Sequence, residues 1–127
     1  LAPTAFGEGN RLFTEFKGAL TENFVLRTLI TQFEVMPRYW SQNNPLYEVD
    51  FLIQRENDIF PVEVKFETNT TSKSIKKFKE LFPDKVKLRI RFSLDNLKLD
   101  DDVLNIPLFM ADQADRLIGL ALEKSEH

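Results

Sequence analysis

Four side chains in this sequence have the types and spacing that metal-assisted phosphodiester chemistry needs: Glu22, Asp50, Glu63 and Lys65. Asp50 and Glu63 are hard oxygen donors on neighbouring predicted strands, and Lys65 stands two residues after Glu63, on the same strand face. Magnesium prefers oxygen ligands in octahedral geometry and takes only one or two protein carboxylates, keeping several waters. Asp50, Glu63 and the Val64 backbone carbonyl suit such an ion, Mg²⁺ or Mn²⁺, with Glu22 coordinating it or holding its waters. A metal there would acidify a water and neutralise charge building on a phosphodiester, while the Lys65 ammonium orients or helps deprotonate the nucleophile.

The elements that must position these groups are legible in the apolar periodicity. From about Thr14 to Phe33, Phe16, Leu20, Leu26, Leu29, Ile30 and Phe33 recur at three- and four-residue steps, which predicts a helix. Glu22 falls within roughly 40° of Leu26, Leu29 and Phe33 on that helix, so a carboxylate projects from its apolar face. Such a group must find a cation, stay protonated or open into a cleft.

Arg38 to Ser41 is a short strand candidate and Asn43-Asn44-Pro45 a turn. Tyr47 to Gln54 and Phe60 to Glu67 alternate as the two strands of a hairpin around Glu56-Asn57-Asp58. With Asn57 and Asp58 at the centre of that turn, Asp50 lies across from Lys65 and Glu63 lies diagonally within reach.

Downstream, Thr70, Thr71 and Ser72 offer caps for a helix over Ser74 to Phe82, and Pro83 ends it. Lys85 to Phe92 alternates basic with apolar residues, an acidic loop surrounds Asp100 to Asp102, Ile106 to Met110 is a short strand, and a helix over about Ala111 to Leu122 follows. The predicted order is α-β-β-β-α-β-β-α, an α/β (α+β) fold with a mixed central sheet flanked by helices.

Charge is unevenly distributed. Residues 1–70 carry a formal charge of −4, residues 71–94 carry +6 and residues 95–127 carry −5. The basic block suits phosphate contacts through Lys73, Lys76, Lys77, Lys87, Arg89 and Arg91, although a solvated helix face and edge strand would look the same. The 127 residues, 43% of them hydrophobic, fit one domain spanning 1–127. There is no cysteine, which points to a reducing, cytoplasmic setting, and no apolar run of membrane-spanning length. No Gly-x-x-x-x-Gly-Lys-Ser/Thr loop occurs, and the sole histidine, His127, is terminal, so serine or cysteine nucleophile chemistry has no base. The first residue is Leu rather than Met, as expected of a piece of a longer polypeptide.

Glu22 on the first helix, Asp50 in Glu48-Val49-Asp50-Phe51-Leu52-Ile53, and Glu63-Val64-Lys65 together resemble the PD-(D/E)xK nuclease superfamily, with Val49 where the superfamily's name has Pro. More narrowly, Gly18 to Val25, the two strands, Ser74 to Phe78 and Asn105-Ile106-Pro107-Leu108 resemble the C-terminal domain of a bacterial and archaeal group of AAA-type ATP-binding proteins. The resemblance implies a restriction-endonuclease-like core, metal ligation by Asp50 and Glu63, a catalytic Lys65 and a site completed by Glu22. It also implies an AAA-type ATPase domain on the same polypeptide and DNA as substrate. The alternative is a non-catalytic module of the same fold that binds nucleic acid or protein; a third reading makes Phe6, Leu12 and Phe13 an assembly surface.

Overall fold

A computed structural model describes the backbone of residues 3–37, 41–43, 46–66 and 73–125, and the side chains of 16–36, 49–66 and 73–125. The opening helix α1, Pro3–Leu29, is seated on the sheet near its C-terminus through the fully buried Val25 and Leu29. Its expected apolar stripe is displaced: Phe16, Leu20 and Ile30 are exposed, while Leu26 and Phe33 are partly covered. The helix stops at Leu29 because the chain turns there. Gln32 and Phe33 N–H groups both bond back to the Leu29 carbonyl, and the Gln32 amide donates to Ala111 O at 3.0 Å and accepts from Asp115 N–H at 2.9 Å.

Five short strands follow: β1 (Glu34–Pro37), β2 (Ser41–Asn43), β3 (Leu46–Glu48), β4 (Phe51–Arg55) and β5 (Asp58–Val64). Helix α2 (Lys73–Leu81) leads to β6 (Arg89–Ser93), β7 (Lys98–Asp100) and β8 (Val103–Pro107), then a 3-10 segment (Leu108–Gln113) and α3 (Ala114–Ser125). Six strands form one mixed sheet in the order β1-β4-β5-β6-β8-β7, with β5, β6 and β8 parallel; β2 and β3 pair separately.

The observed order therefore carries five strands before α2 and three after it, instead of the expected three and two. The predicted strand Tyr47 to Gln54 breaks at Val49 and Asp50, and Lys85 to Phe92 is extended only from Arg89. Met110 and the start of the predicted last helix belong to the 3-10 segment. Of the Arg38 to Ser41 strand candidate only Ser41 is described. Asn44, Pro45, Glu67 and the capping residues Thr70 to Ser72 lie outside the described residues, as do the side chains of Phe6, Leu12 and Phe13.

Alternation sorts the sheet into two faces. Phe51, Ile53, Phe60, Val62, Ile90, Phe92, Leu104 and Ile106 pack under α1, the 3-10 segment and α3. On the opposite face Val49, Leu52, Ile59 and Val86 pack under Ile75 and Phe78 of α2. Burial of Phe51, Phe60 and Phe92, each at most 1% exposed, contributes about 2–3 kcal/mol apiece. Pro61 sits inside β5 without breaking the sheet. Ile59 N–H donates to Lys85 O and Lys65 N–H to Phe92 O, and Pro61, which has no N–H, faces the stretch before the β6 ladder begins. Among the described residues no helix is long and apolar enough to cross a membrane.

Candidate active site

The β4 to β5 hairpin turns over Glu56 and Asn57, with Glu56 at a left-handed φ of 56°. Arg55 pairs with Asp58 and Phe51 with Val62. This register differs by two from the expected one, so within the paired stretch the faces are kept but the partners change, while Val49, beyond the ladder, packs with Leu52 on the α2 face rather than with Phe51 and Ile53. The ladder ends at Phe51 and Val62, so Asp50 lies just outside it and the expected pairing of Asp50 with Lys65 is not formed. The cause is the turn itself, which closes one residue earlier than the Asn57-Asp58 centre assumed from sequence.

At that end of the hairpin the Asp50 carboxylate substitutes for a strand carbonyl: its Oδ2 accepts the Val64 N–H at 2.8 Å. Glu63 is buried, 5% exposed, and its Oε1 lies 3.8 Å from Lys65 Nζ. Glu22 is half-buried on the same side of α1 as Val25 and Leu29, as its helical position predicts. Its charge reaches Asp50. Burial pushes the Asp50 carboxyl up to about 6, the Val64 N–H draws it down, the charges of Glu22 and Glu63 push it up again, and Lys65 offsets them in part. The structure thus brings Glu22, Glu63 and Lys65 within electrostatic reach of Asp50.

The burial and like charge that raise Asp50 are the chemical reason a divalent cation fits. Among the described residues no three His, Cys, Asp or Glu side chains converge in a metal cage. The donor set is smaller: the Asp50 and Glu63 carboxylates and the Val64 carbonyl. On an extended strand the C=O and N–H of one residue point to the same edge, and the Val64 N–H points to Asp50. Two carboxylates and a carbonyl match what Mg²⁺ takes from a protein.

The predicted phosphate-binding residues divide into two groups. Lys73 and Lys76 are exposed and Lys77 partly covered on α2. The strand cations are each matched by a carboxylate: Lys87 Nζ lies 3.3 Å from Asp58, Arg91 Nη2 lies 3.1 Å from Asp95, and Arg89 bonds Asp102 through Nε at 3.0 Å and Nη2 at 2.6 Å. Lys79 bonds the same Asp102. The wet basic face read from alternation is therefore largely neutralised, because partners from the 94–102 loop and the β5 turn fold onto it.

Sequence reasoning also missed a buried polar knot. Ser93 Oγ donates to Asn105 Oδ1 at 2.6 Å and accepts the Asp95 N–H, while Asn105 Nδ2 donates to the carbonyls of Asp95 and Asn96. The one signal for it was Asn105, a polar residue heading the apolar run Ile106 to Met110.

A family model described as a domain of unknown function, DUF4143, matches residues 17–109. No curated protein matches the chain. Among solved structures, the crystal structure of a protein of unknown function, AF1548, is similar with a TM-score of 0.37 and 18% identity, over 79% of this chain and 55% of that one. The chain thus spans about half the length of that protein.

Proposed function

The chain belongs to the DUF4143 family, and for it we propose a metal-dependent nuclease of the PD-(D/E)xK kind, hydrolysing DNA phosphodiester bonds in the cytoplasm. A restriction-endonuclease-like core and an AAA-type ATPase domain on the same polypeptide belong to this reading. The observation that carries it is the cluster at the end of the hairpin. Lys65 lies 3.8 Å from the buried Glu63, the Asp50 carboxylate accepts the N–H of Val64, the residue between them, and burial with neighbouring negative charge pushes Asp50 up to about 6.

Bound Mg²⁺ or Mn²⁺ supplies Lewis acidity and an acidified water. Asp50 would offer one carboxylate to the ion, Glu63 a second from a buried position, and Glu22 would orient water at the edge of the site. The Lys65 ammonium, a compact charge on a flexible stem, meets charge developing on the phosphate.

Lys65→Ala should lower metal-dependent cleavage about a hundredfold or more while calorimetry shows the ion still bound, since an ammonium is not a ligand. Wild-type protein that binds Mg²⁺ or Mn²⁺ yet cuts neither single- nor double-stranded DNA would sink the nuclease reading for this chain. A non-catalytic nucleic-acid- or protein-binding module is favoured by one observation, the pairing of Lys87, Arg89 and Arg91 with carboxylates, which leaves fewer cations for a duplex backbone.

A further inference from the structure

One line of side chains crosses the sheet on the face that carries Glu63. Strand register sets Glu63 beside Arg91, Arg91 beside Asn105, and Asn105 beside Lys98, across β5, β6, β8 and β7. Register partners on adjacent strands project to the same side. Neighbouring strands are about 4.8 Å apart, so Asn105 stands about 10 Å and Lys98 about 14 Å from Glu63 along the row. Beyond Arg91 the row runs into an open groove of about 500 Å³ lined by Arg91, Leu97, Lys98, Asp100, Val103 and Asn105. That volume lies in the range of small-molecule sites.

The groove is built rather than accidental. Asn105, which lines it, is held by Ser93, and both residues are buried. Asn105 ties down the carbonyls of Asp95 and Asn96, and Asp95 in turn holds the Arg91 guanidinium, so the 94–97 wall and the central cation are fixed together. Lys98, exposed on β7, makes no ion pair among the described residues.

We propose that this groove seats a nucleotide of a single-stranded nucleic acid that flanks the bond held at Asp50 and Glu63. The proposal rests on the nuclease reading for the scissile end of the strand only. The lining matches what one nucleotide presents. Lys98 meets an anionic phosphate, Leu97 and Val103 meet the apolar face of a base, and Asp100 accepts from an exocyclic amine, the pairing by which carboxylates read cytosine. A groove made to track a duplex backbone would be uniformly cationic, and this one is not. The 10–14 Å reach corresponds to about three or four nucleotides at the ~3.4 Å rise of one duplex strand, and fewer in an extended single strand.

The test measures anisotropy of a short labelled single strand, and of its duplex, with the whole chain in EDTA, so that nothing is cut. Wild type should prefer the single strand. Lys98→Ala should flatten the slope of log affinity against log salt by about 0.7, and Lys98→Glu should weaken binding about tenfold or more, with thermal unfolding unchanged because the residue is exposed. If wild type cleaves DNA while both Lys98 variants bind and cleave normally, the groove is overturned and the nuclease stands. If wild type cuts nothing but loses the single strand on Lys98→Glu, the groove stands and only the nuclease falls. Equal affinity for duplex and single strand overturns the assignment.

Discussion

Asp50 and Asp102 are both covered carboxylates at the margin of one sheet, and they have opposite fates. Burial penalises the ionised form of each. At Asp102 the hydrogen bonds and charges of Arg89 and Lys79 outweigh that penalty and hold its carboxyl below the ordinary value of 3.8. At Asp50 one backbone N–H and the more distant Lys65 do not, and Glu22 and Glu63 add repulsion, so the carboxyl rises to about 6. The difference separates scaffold from site. Asp102 joins α2, β6 and the β7 to β8 turn with its charge satisfied, whereas Asp50 is left short of positive charge where a ligand could supply it.

The largest test of this contrast is Asp102→Ala. It leaves Arg89 and Lys79 facing each other, with the Arg89 side chain only 15% exposed. Loss of about 3 kcal/mol is expected, the lower end for unmasking a buried charge because Lys79 keeps more solvent; urea unfolding measures it. A loss under 1 kcal/mol would make the cluster a surface pair and remove the contrast.

Asp50→Asn should do the reverse, raising stability at neutral pH by about 2 kcal/mol, since the amide oxygen still accepts the Val64 N–H without the charge. The pH dependence distinguishes the two sites. Folded Asp50 keeps its proton to about pH 6, while the unfolded chain loses it near 3.8, so the stability it lends is present at low pH and drains away as pH rises through that window. Asp102 contributes above 3.8 and loses its contribution as pH falls through its depressed folded value. Unfolding curves from acid to neutral pH should lose the upper limb in Asp50→Asn and the lower limb in Asp102→Asn; an upper limb retained in Asp50→Asn would refute the assignment.

Glu22→Gln gives the smallest expected change. Removing that charge should lower the Asp50 pKa from about 6, with a few tenths of a kcal/mol gained in stability. Carbon-detected NMR titration of the Asp50 carboxyl reads it directly, and an unmoved titration would place Glu22 outside the site.

Much of this site was legible because side-chain parity on a strand survives a shift of two. Val62 and Val64 against Glu63 and Lys65 sorted correctly although the pairing did not. The register itself was hidden in Glu56, whose left-handed backbone has no marker in a Glu-Asn-Asp run. The break at Val49 and Asp50 was hidden too, since apolar alternation passes through it unchanged while the Asp50 side chain takes over a backbone role. Lys98 to Asp100 is too short and polar to announce a strand. The pairing of Arg89 with Asp102 and Lys87 with Asp58 depends on distant segments meeting, which one-dimensional charge patterning does not contain.

The strand connections also divide the chain by the entropy of closing loops. β4 with β5, and β7 with β8, close over two-residue turns, so each pair forms at little cost in chain freedom. β5 meets β6 only after the whole of α2 and its flanking segments have been gathered in, and that parallel seam has just three register pairs, Val62 to Val64 against Ile90 to Phe92. The row from Glu63 to Arg91 crosses it. The candidate site and the groove therefore belong to two locally coded halves of the sheet, and their alignment depends on its least local join.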